Sequence, residues 1–475
     1  MNPLRLLKGF SPQRHRVHFL SVLSVTLWFI TSSTFAAISS FNVRDHGAIG
    51  DGVASDTKAI NATVEACAKG GGGEVSFPPG RYLSGTVHLR SHVALVLEAG
   101  ARLIGTTNLS EYDFPERMPN MPEAKWGKWH RALVLGEGVE DIKITGQGTI
   151  DGNKVFDPTG EEKKRGPHTI LFVNSKRFTV RDVSIVDSAN YAILFEASDD
   201  VDIRRVKIWG GWDGVHFRGA PGKWCHNVNI IGCEFYTGDD SIAGRYWDNC
   251  VVANCVINSS CNGIRIIGPV TRTIVNNCLF YGPGQQPHRT GGRTNMLSGI
   301  ILQPGAWDAT RGVTDDILFA NNTMHNVASP VTIWQKPGNT MGRVTVNGLH
   351  ATQVYRAAMS VESYADEPIT NVVFRNVSVE YSGGGTANMA TNRVRGPGVD
   401  ARELPSWGFF ARNVEKISFE NVRFSLSADD ARPVVNAENV KQFTVDEFHF
   451  PRVEGVKKPI VTTDAEIKSL ETKWK

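Results

Sequence analysis

The chain has 475 residues, with 51 Lys and Arg against 48 Asp and Glu and a formal net charge of +3. That balance excludes the strongly basic surface of a nucleic-acid binder. Its 47 Gly, with many Asn, Val and Ile, fit short strands joined by tight turns better than a helical protein. A globule of this length would normally divide into domains, whereas a repeat array buries each repeat on its neighbour.

The N-terminus reads as a targeting segment. Arg14, His15 and Arg16 precede an apolar run over 19–35, and Thr34-Phe35-Ala36 offers a small-x-small cleavage site. The run is short for a membrane span. Residues 1–36 are therefore expected to be an export signal. The remaining 37–475 would form one domain in the periplasm or outside the cell, off the membrane after cleavage.

Seven cysteines follow, and an odd number leaves at least one unpaired. No zinc spacing is evident, and neither a metal nor another cofactor is expected. Cys233, Cys255 and Cys278 sit at equivalent points of successive repeats (IIGCEF, VANCVI, VNNCLF), as a column of small buried side chains would. A disulfide of Cys250 with Cys261 or Cys225 stays open.

Residues 38–105 begin with a helical pattern at Asp56-Thr57, with Ile60, Val64 and Cys67 on one face and Gly70 to Gly73 ending it. Alternating strands follow (EVSFPPGRYL, HVALVLEAGARLIG). The helix is expected to cap a first rung that would otherwise expose apolar core and open strand edges. Residues 106–131 are rich in Pro, Met and Trp and lack periodicity; Tyr112, Trp126 and Trp129 there could stack on sugars or pack their own loop.

From Asp141 one shape recurs: DIKITGQGTI, RFTVRDVSI, VDIRRVKI, VNIIGCEF, VVANCVI, TIVNNCLF, ILFANNTM, RVTVNGLH, NVVFRNVSV, KISFENVRF. Each has alternating β-branched residues, a polar turn and a short apolar pair. Asn254, Asn277, Asn322, Asn347, Asn376 and Asn421 recur in the turns, where Asn tolerates the left-handed conformation and amides can bond in a ladder. Short strands also suit a sandwich. A fixed motif at a period of roughly 22–27 residues instead marks a solenoid. The expected fold is all-β, a single-stranded right-handed parallel β-helix. Irregular insertions fall at 157–167, 282–297, 306–316 and 383–406, where solenoids place loops of the binding face. FTVDEFHF is the last evident strand, and 452–475 read as a charged tail or lid.

Polar residues interrupt three neighbouring rungs, in WGGWDGVHFRG, EFYTGDDSIAGRYWDN and SSCNGIRIIG. Parallel stacking brings Asp213, Asp239-Asp240 and Asn262 to about one strand spacing of each other, near 5 Å. An Asp-Gly turn at Asp213, or a solvated turn or calcium site at Asp239-Asp240, would explain either motif alone. Three carboxylates this close cannot all ionise at ordinary values, and one proton is retained near neutral pH.

In these residues the chain resembles glycoside hydrolase family 28, the polygalacturonase-like family of the pectin-lyase-like β-helix class. The opening NVRDHGAIGDGVASDTKAINATVEA resembles the family's NVxDFGAxGDGxxDDTxAIxxA. GWDG with Asp213 resembles its NTDG, and Gly238-Asp239-Asp240-Ser241-Ile242-Ala243 resembles its GDDCIAI. The resemblance implies hydrolysis by single displacement with inversion, with Asp239 as general acid and Asp213 and Asp240 activating water. Inversion sets acid and base oxygens about 6.5–9.5 Å apart.

Two departures stand out. The family's GHGxSIGS appears as Cys261-Asn262-Gly263-Ile264-Arg265-Ile266-Ile267-Gly268, so Asn262 replaces a histidine. The family's RIK, which holds the galacturonate carboxylate, aligns with Ile301-Leu302-Gln303. Laid side by side, the rungs give columns Asn190, Asp213, Asp240, Asn262, Ser298; Ile193, His216, Ala243, Arg265, Ile301; and Phe195, Arg218, Arg245, Ile267, Gln303. Positive charge is thus expected to have moved to His216, Arg218, Arg245 and Arg265. These four, with Asn262, Gln303 and Trp212, are the expected substrate-binding residues. Trp209, Trp212, Tyr246, Trp247, Trp307 and Trp334 are candidates for sugar stacking or core packing.

The sequence therefore points to a monomeric, exported hydrolase of a pectic or other uronic-acid-containing polysaccharide or oligosaccharide. A polysaccharide lyase on the same fold, or a non-catalytic carbohydrate-binding solenoid, are the alternatives. Endo and exo action stay open; exo action requires loops that block one end of a cleft, and 106–131 and 283–297 are the candidates.

Overall fold

The computed structural model describes residues 39–115, 131–396 and 398–471. The expected export signal, Trp126 and Trp129 lie outside the described residues. Ser39 onward forms one compact unit, and among the described residues no helix is long and apolar enough to cross a membrane.

Every named strand pairing is parallel, and each strand pairs with its counterpart one coil away, the pattern of a parallel β-helix. One interior column shows the principle. Ile144, Val180, Ile203, Ile230, Val252, Val275 and Phe319 stand in register, each pairing with the next. Val346, Phe374, Phe419 and Val445 continue it. All are buried in one continuous core. Alternate residues face outward, so the β-branched alternation read from sequence fills the interior of every coil. Cys233, Cys255 and Cys278 lie in that core, and all seven cysteines are free and buried.

The helix Thr57–Lys69 forms as expected, with Ile60, Val64 and Cys67 buried. The opening motif acts through Asp56, which is buried and accepts from the backbone N–H of Ile49 (2.7 Å) and Gly50 (3.1 Å). This ties the first turn to the helix start.

The Asn ladder is present with one change of member. Asn277 donates to Asn254 (2.7 Å), Asn376 to Asn347 (3.2 Å) and Asn421 to Asn376 (2.9 Å). Asn321, at φ 51, takes the left-handed turn position in its coil. Asn322 is buried instead, accepting from Cys278 N and donating to Val275 O. At the C-terminus the solenoid runs one coil further than the sequence suggests. Ile460–Thr463 and Ile467–Glu471 pair with Val435–His449. Among the described residues no coil packs beyond them, and their sequence lacks the apolar alternation by which earlier strands are recognised.

Candidate active site

One sheet of the solenoid positions the site. Its strands include Ile193–Glu196, Val215–Arg218, Ile242–Arg245, Asn262–Ile266 and Ser298–Leu302, stacked in parallel. Asp213 and Asp240 stand at the entry to adjacent strands, and Asn262 follows one coil on. The register departs from expectation at one rung. Leu194, not Ile193, pairs with His216, and Glu196, not Phe195, pairs with Arg218. A slip of one residue exchanges the faces of a strand. Ile193 and Phe195 accordingly fill the core, while Leu194 packs outside with Tyr191 and Trp212.

The four insertions converge on this place. A cavity of about 250 Å³ is lined by Glu162 and Arg165 from the first, and by His288, Thr290 and Arg293 from the second. Trp307 comes from the third and Asp400 from the fourth. The floor is Tyr191, Asp213, His216, Asp239, Asp240, Cys261 and Arg265.

Each carboxylate has distinct surroundings. Asp213 Oδ2 lies 2.7 Å from His216 Nδ1, and the His216 ring stacks on Tyr191 at 4.4 Å. Burial, then Asp239 and Asp240, hold the Asp213 carboxyl well above the usual carboxylate range. Asp240 Oδ1 accepts from the Asn262 backbone (3.0 Å) and amide (2.8 Å), and Oδ2 from Arg265 Nε (2.5 Å). Burial pushes Asp240 up, and Arg265 and Asn262 work against it. Asp239 faces nitrogen donors instead, with Arg165 Nη2 at 3.8 Å and His288 Nε2 at 3.6 Å. Burial opposes its charge, but His288 and Arg165 outweigh it and hold Asp239 below the ordinary range. Burial thus favours the protonated form at Asp213 and Asp240, while His288 and Arg165 favour the charged form of Asp239.

His288 has a defined tautomer. Its Nδ1 accepts from the backbone N–H of Thr290 (3.3 Å) and Gly291 (3.1 Å), which leaves the proton on Nε2, toward Asp239.

The other expected binding residues divide by exposure. His216 and Arg265 line the cavity. Arg265 is locked by Asp240, by Asp400 (2.8 Å) and by the Val399 carbonyl (2.9 Å). Asn262 and Gln303 are fully buried beneath it. In the amide orientation that satisfies both neighbours, Gln303 accepts from Arg265 (2.8 Å) and donates to Val399 O (3.1 Å). Arg218 and Arg245 are buried one strand end away, beside Glu196 and Asp308 respectively. Trp212 is buried under Arg165, whose guanidinium lies 3.6 Å from the ring centroid. Of the six candidate aromatics, Trp307 lines the cavity. Trp247 and Trp334 bond to Thr273 and Glu362 in buried positions. Tyr112 is buried and donates to Thr106 O.

Asp213, Asp239 and Asp240 thus meet in one cavity, carried by neighbouring coils. The model of glycosyl hydrolases family 28 matches residues 67–272. That match spans less than half of the chain. The chain is 27% identical over 236 residues to a probable polygalacturonase of Vitis vinifera, spanning 46% of this chain and about half (48%) of that protein. It is 24% identical over 394 residues to a polygalacturonase of Gossypium hirsutum, covering 76% and 89% of the two chains. It is also 30% identical over 185 residues to plasmin and fibronectin-binding protein A of Streptococcus pneumoniae, covering 36% and 24%. The solved exopolygalacturonase of Thermotoga maritima shares the fold, with a TM-score of 0.54, 19% identity and coverage of 72% and 87%.

Against the family 28 pattern, sequence reasoning missed Glu162, Arg165, His288, Thr290, Arg293 and Asp400. All lie in insertions, where no periodicity reports which way a side chain points. The available signal in 282–297 was Gly-rich sequence with His288, Arg289 and Arg293 and no acidic residue. Asp239, Asp240 and Cys261 also hold donor atoms within 4.8 Å of one another. Asn262 and Arg265 already engage Asp240, and Arg293 engages Cys261.

Beside the cavity, Glu196 gives a pH prediction. It is 1% exposed, and burial, partly offset by Arg218 and Arg245, pushes its carboxyl up to about 7. An acid with a raised folded value stabilises the fold fully below its unfolded value of 4.5, and that contribution is lost as pH rises to about 7. Thermal stability is expected to fall across that window by the equivalent of about 3 kcal/mol and then level off. Glu196→Gln should flatten this part of the melting-temperature profile. An unchanged slope would assign it to other groups.

Proposed function

We propose that this chain is a member of glycosyl hydrolases family 28 and an exported glycoside hydrolase. Its substrate is a uronic-acid-containing polysaccharide or oligosaccharide of pectic type, and residues 37–475 act as one catalytic domain. The observation that carries the reading is the meeting of Asp213, Asp239 and Asp240 in one cavity with Arg165, Arg265, Arg293, His216 and His288. The polygalacturonase names of the Vitis and Gossypium relatives support the substrate class. The cavity is below the roughly 300–1,000 Å³ usual for ligand pockets. Walls from four insertions favour a chain end over the middle of a long polymer.

In this mechanism Asp239 protonates the leaving oxygen while Asp213 and Asp240 orient and deprotonate water, giving inversion. Asp240 is held for that task by Asn262 and Arg265. Asp239 starts ionised under Arg165 and His288, so it must gain a proton on the way to the transition state. An entering uronate shares those cations and weakens their hold on Asp239, which raises its proton affinity. Binding of an oligogalacturonide is therefore expected to take up protons near neutral pH. Calorimetry in buffers of different ionisation heat measures this, and Asp239→Asn should abolish the uptake. Binding without uptake in the unmodified protein would transfer the acid role to Asp213.

The direct test is incubation with pectic and other acidic polysaccharides. New reducing ends without ultraviolet absorbance indicate hydrolysis, and an absorbing unsaturated product indicates a lyase. The second reading, a carbohydrate-binding solenoid, draws on the match to the streptococcal binding protein. Oligosaccharide binding with no cleavage at any pH would favour it.

A further inference from the structure

The family's basic RIK pair is absent, and its place holds Ile301-Leu302-Gln303, all buried. The question is which group meets the carboxylate of a uronate. The cavity's nitrogen donors differ in how fully they are engaged. Arg165 pairs with Glu162 at 3.0 Å and faces Asp239. Arg265 is saturated by Asp240, Asp400 and Val399 O. His216 is held by Asp213 and His288 faces Asp239.

Arg293 stands apart. Among the described residues it pairs with no carboxylate. Its Nη2 donates to Cys261 Sγ at 3.2 Å, a weak acceptor. Its Nε is buried without a hydrogen-bond partner among the described residues. The chain nevertheless holds this guanidinium in the cavity wall, half-buried, next to Thr290 and His288.

Charge narrows the orientation further. Glu162, Asp213, Asp239, Asp240 and Asp400 already line the cavity. A ligand carboxylate among them is repelled wherever a guanidinium is shared with a protein carboxylate. Arg293 is the place where it meets a cation that no acidic side chain has claimed, and a guanidinium can grip it with two parallel hydrogen bonds.

We propose that Arg293, carried on the 282–297 insertion, is the specificity-determining anchor for the uronate carboxylate. It takes over from the solenoid strands a task that the family's RIK performs there. This rests on the uronide reading above, and the sugar ring then lies between Arg293 and the Asp213–Asp240 floor.

The test separates anchoring from catalysis by measuring binding in the Asp239→Asn background. Trigalacturonate and its methyl ester are titrated calorimetrically, with Arg293 intact, changed to Gln, or changed to Lys. Arg293→Gln is expected to weaken trigalacturonate binding about 30- to 100-fold, at the lower end for a lost charge-assisted pair because the site is half-open. Arg293→Lys should lose less, since it keeps the charge without the fork. Binding of the ester should change little in either variant. Equal losses for acid and ester, or no loss for the acid, would overturn the assignment. Melting temperatures guard against misfolding; Arg293 makes so few contacts that they should not move. Hydrolysis of the same trisaccharide by the unmodified protein is read in parallel. Arg293-dependent binding without new reducing ends would sink the hydrolase reading and leave the anchor standing.

Discussion

Asp239→Asn is expected to lower turnover by about 10²–10⁴-fold, the usual contribution of a positioned general acid. The amide matches the carboxylate in shape but cannot give up a proton at the leaving oxygen. Its backbone setting persists, because the carbonyl of Asp239 accepts from Thr237 Oγ1 (2.8 Å) and Ser259 Oγ (2.7 Å). Arg165 keeps Glu162 at 3.0 Å, so no buried guanidinium is stranded. Melting temperature should therefore stay close to that of the parent while reducing-end release collapses. Unchanged turnover in a folded variant would remove Asp239 from the acid role. A loss of folding would show instead that Asp239 is structural.

Arg265→Met should act on stability as strongly as Asp239→Asn acts on rate. Arg265 is buried, with Asp240 at 2.5 Å and Asp400 at 2.8 Å. Removing one partner of a buried pair leaves an uncompensated charge and costs about 3–5 kcal/mol. The pH dependence has a definite sign. Without Arg265 the Asp240 carboxyl moves further up, and an acid with a raised folded value favours the fold when protonated. The deficit should be small near pH 4 and grow as pH rises through the range between the unfolded and folded values of Asp240. Adding Asp240→Asn should restore much of the stability at neutral pH, because no buried charge is left alone. Chemical denaturation of the three variants at pH 4 and pH 7 checks this. A deficit independent of pH, or one that Asp240→Asn deepens, would show that packing and not charge is at stake.

What was legible in the sequence was whatever repeats. The interior column from Ile144 to Val445 follows from β-branched alternation, because an interior face must be apolar on every coil. The left-handed Asn turns and the capping helix follow from equally local chemistry. The three aspartates were legible for a related reason, since ordered motifs on adjacent rungs must stack once the rungs are parallel. The register around His216 was harder to read. Ile193 and Leu194 are both apolar, so composition did not say which of them faces outward, and only pairing with Val215 and His216 resolved it.

The sequence alone thus determined the solenoid and the position of its carboxylates, because both arise from short-range periodicity propagated coil by coil. Tertiary structure alone decided which cations meet those carboxylates. Arg218, Arg245 and Gln303, expected to bind substrate, are buried beside the cavity, whereas Arg165, His288 and Arg293 reach it from insertions far away in the chain. An insertion has no repeat to fix its path. Where its side chains end is set by closure against other loops, so the cavity's carboxylates could be read from the chain while the groups that surround them could not.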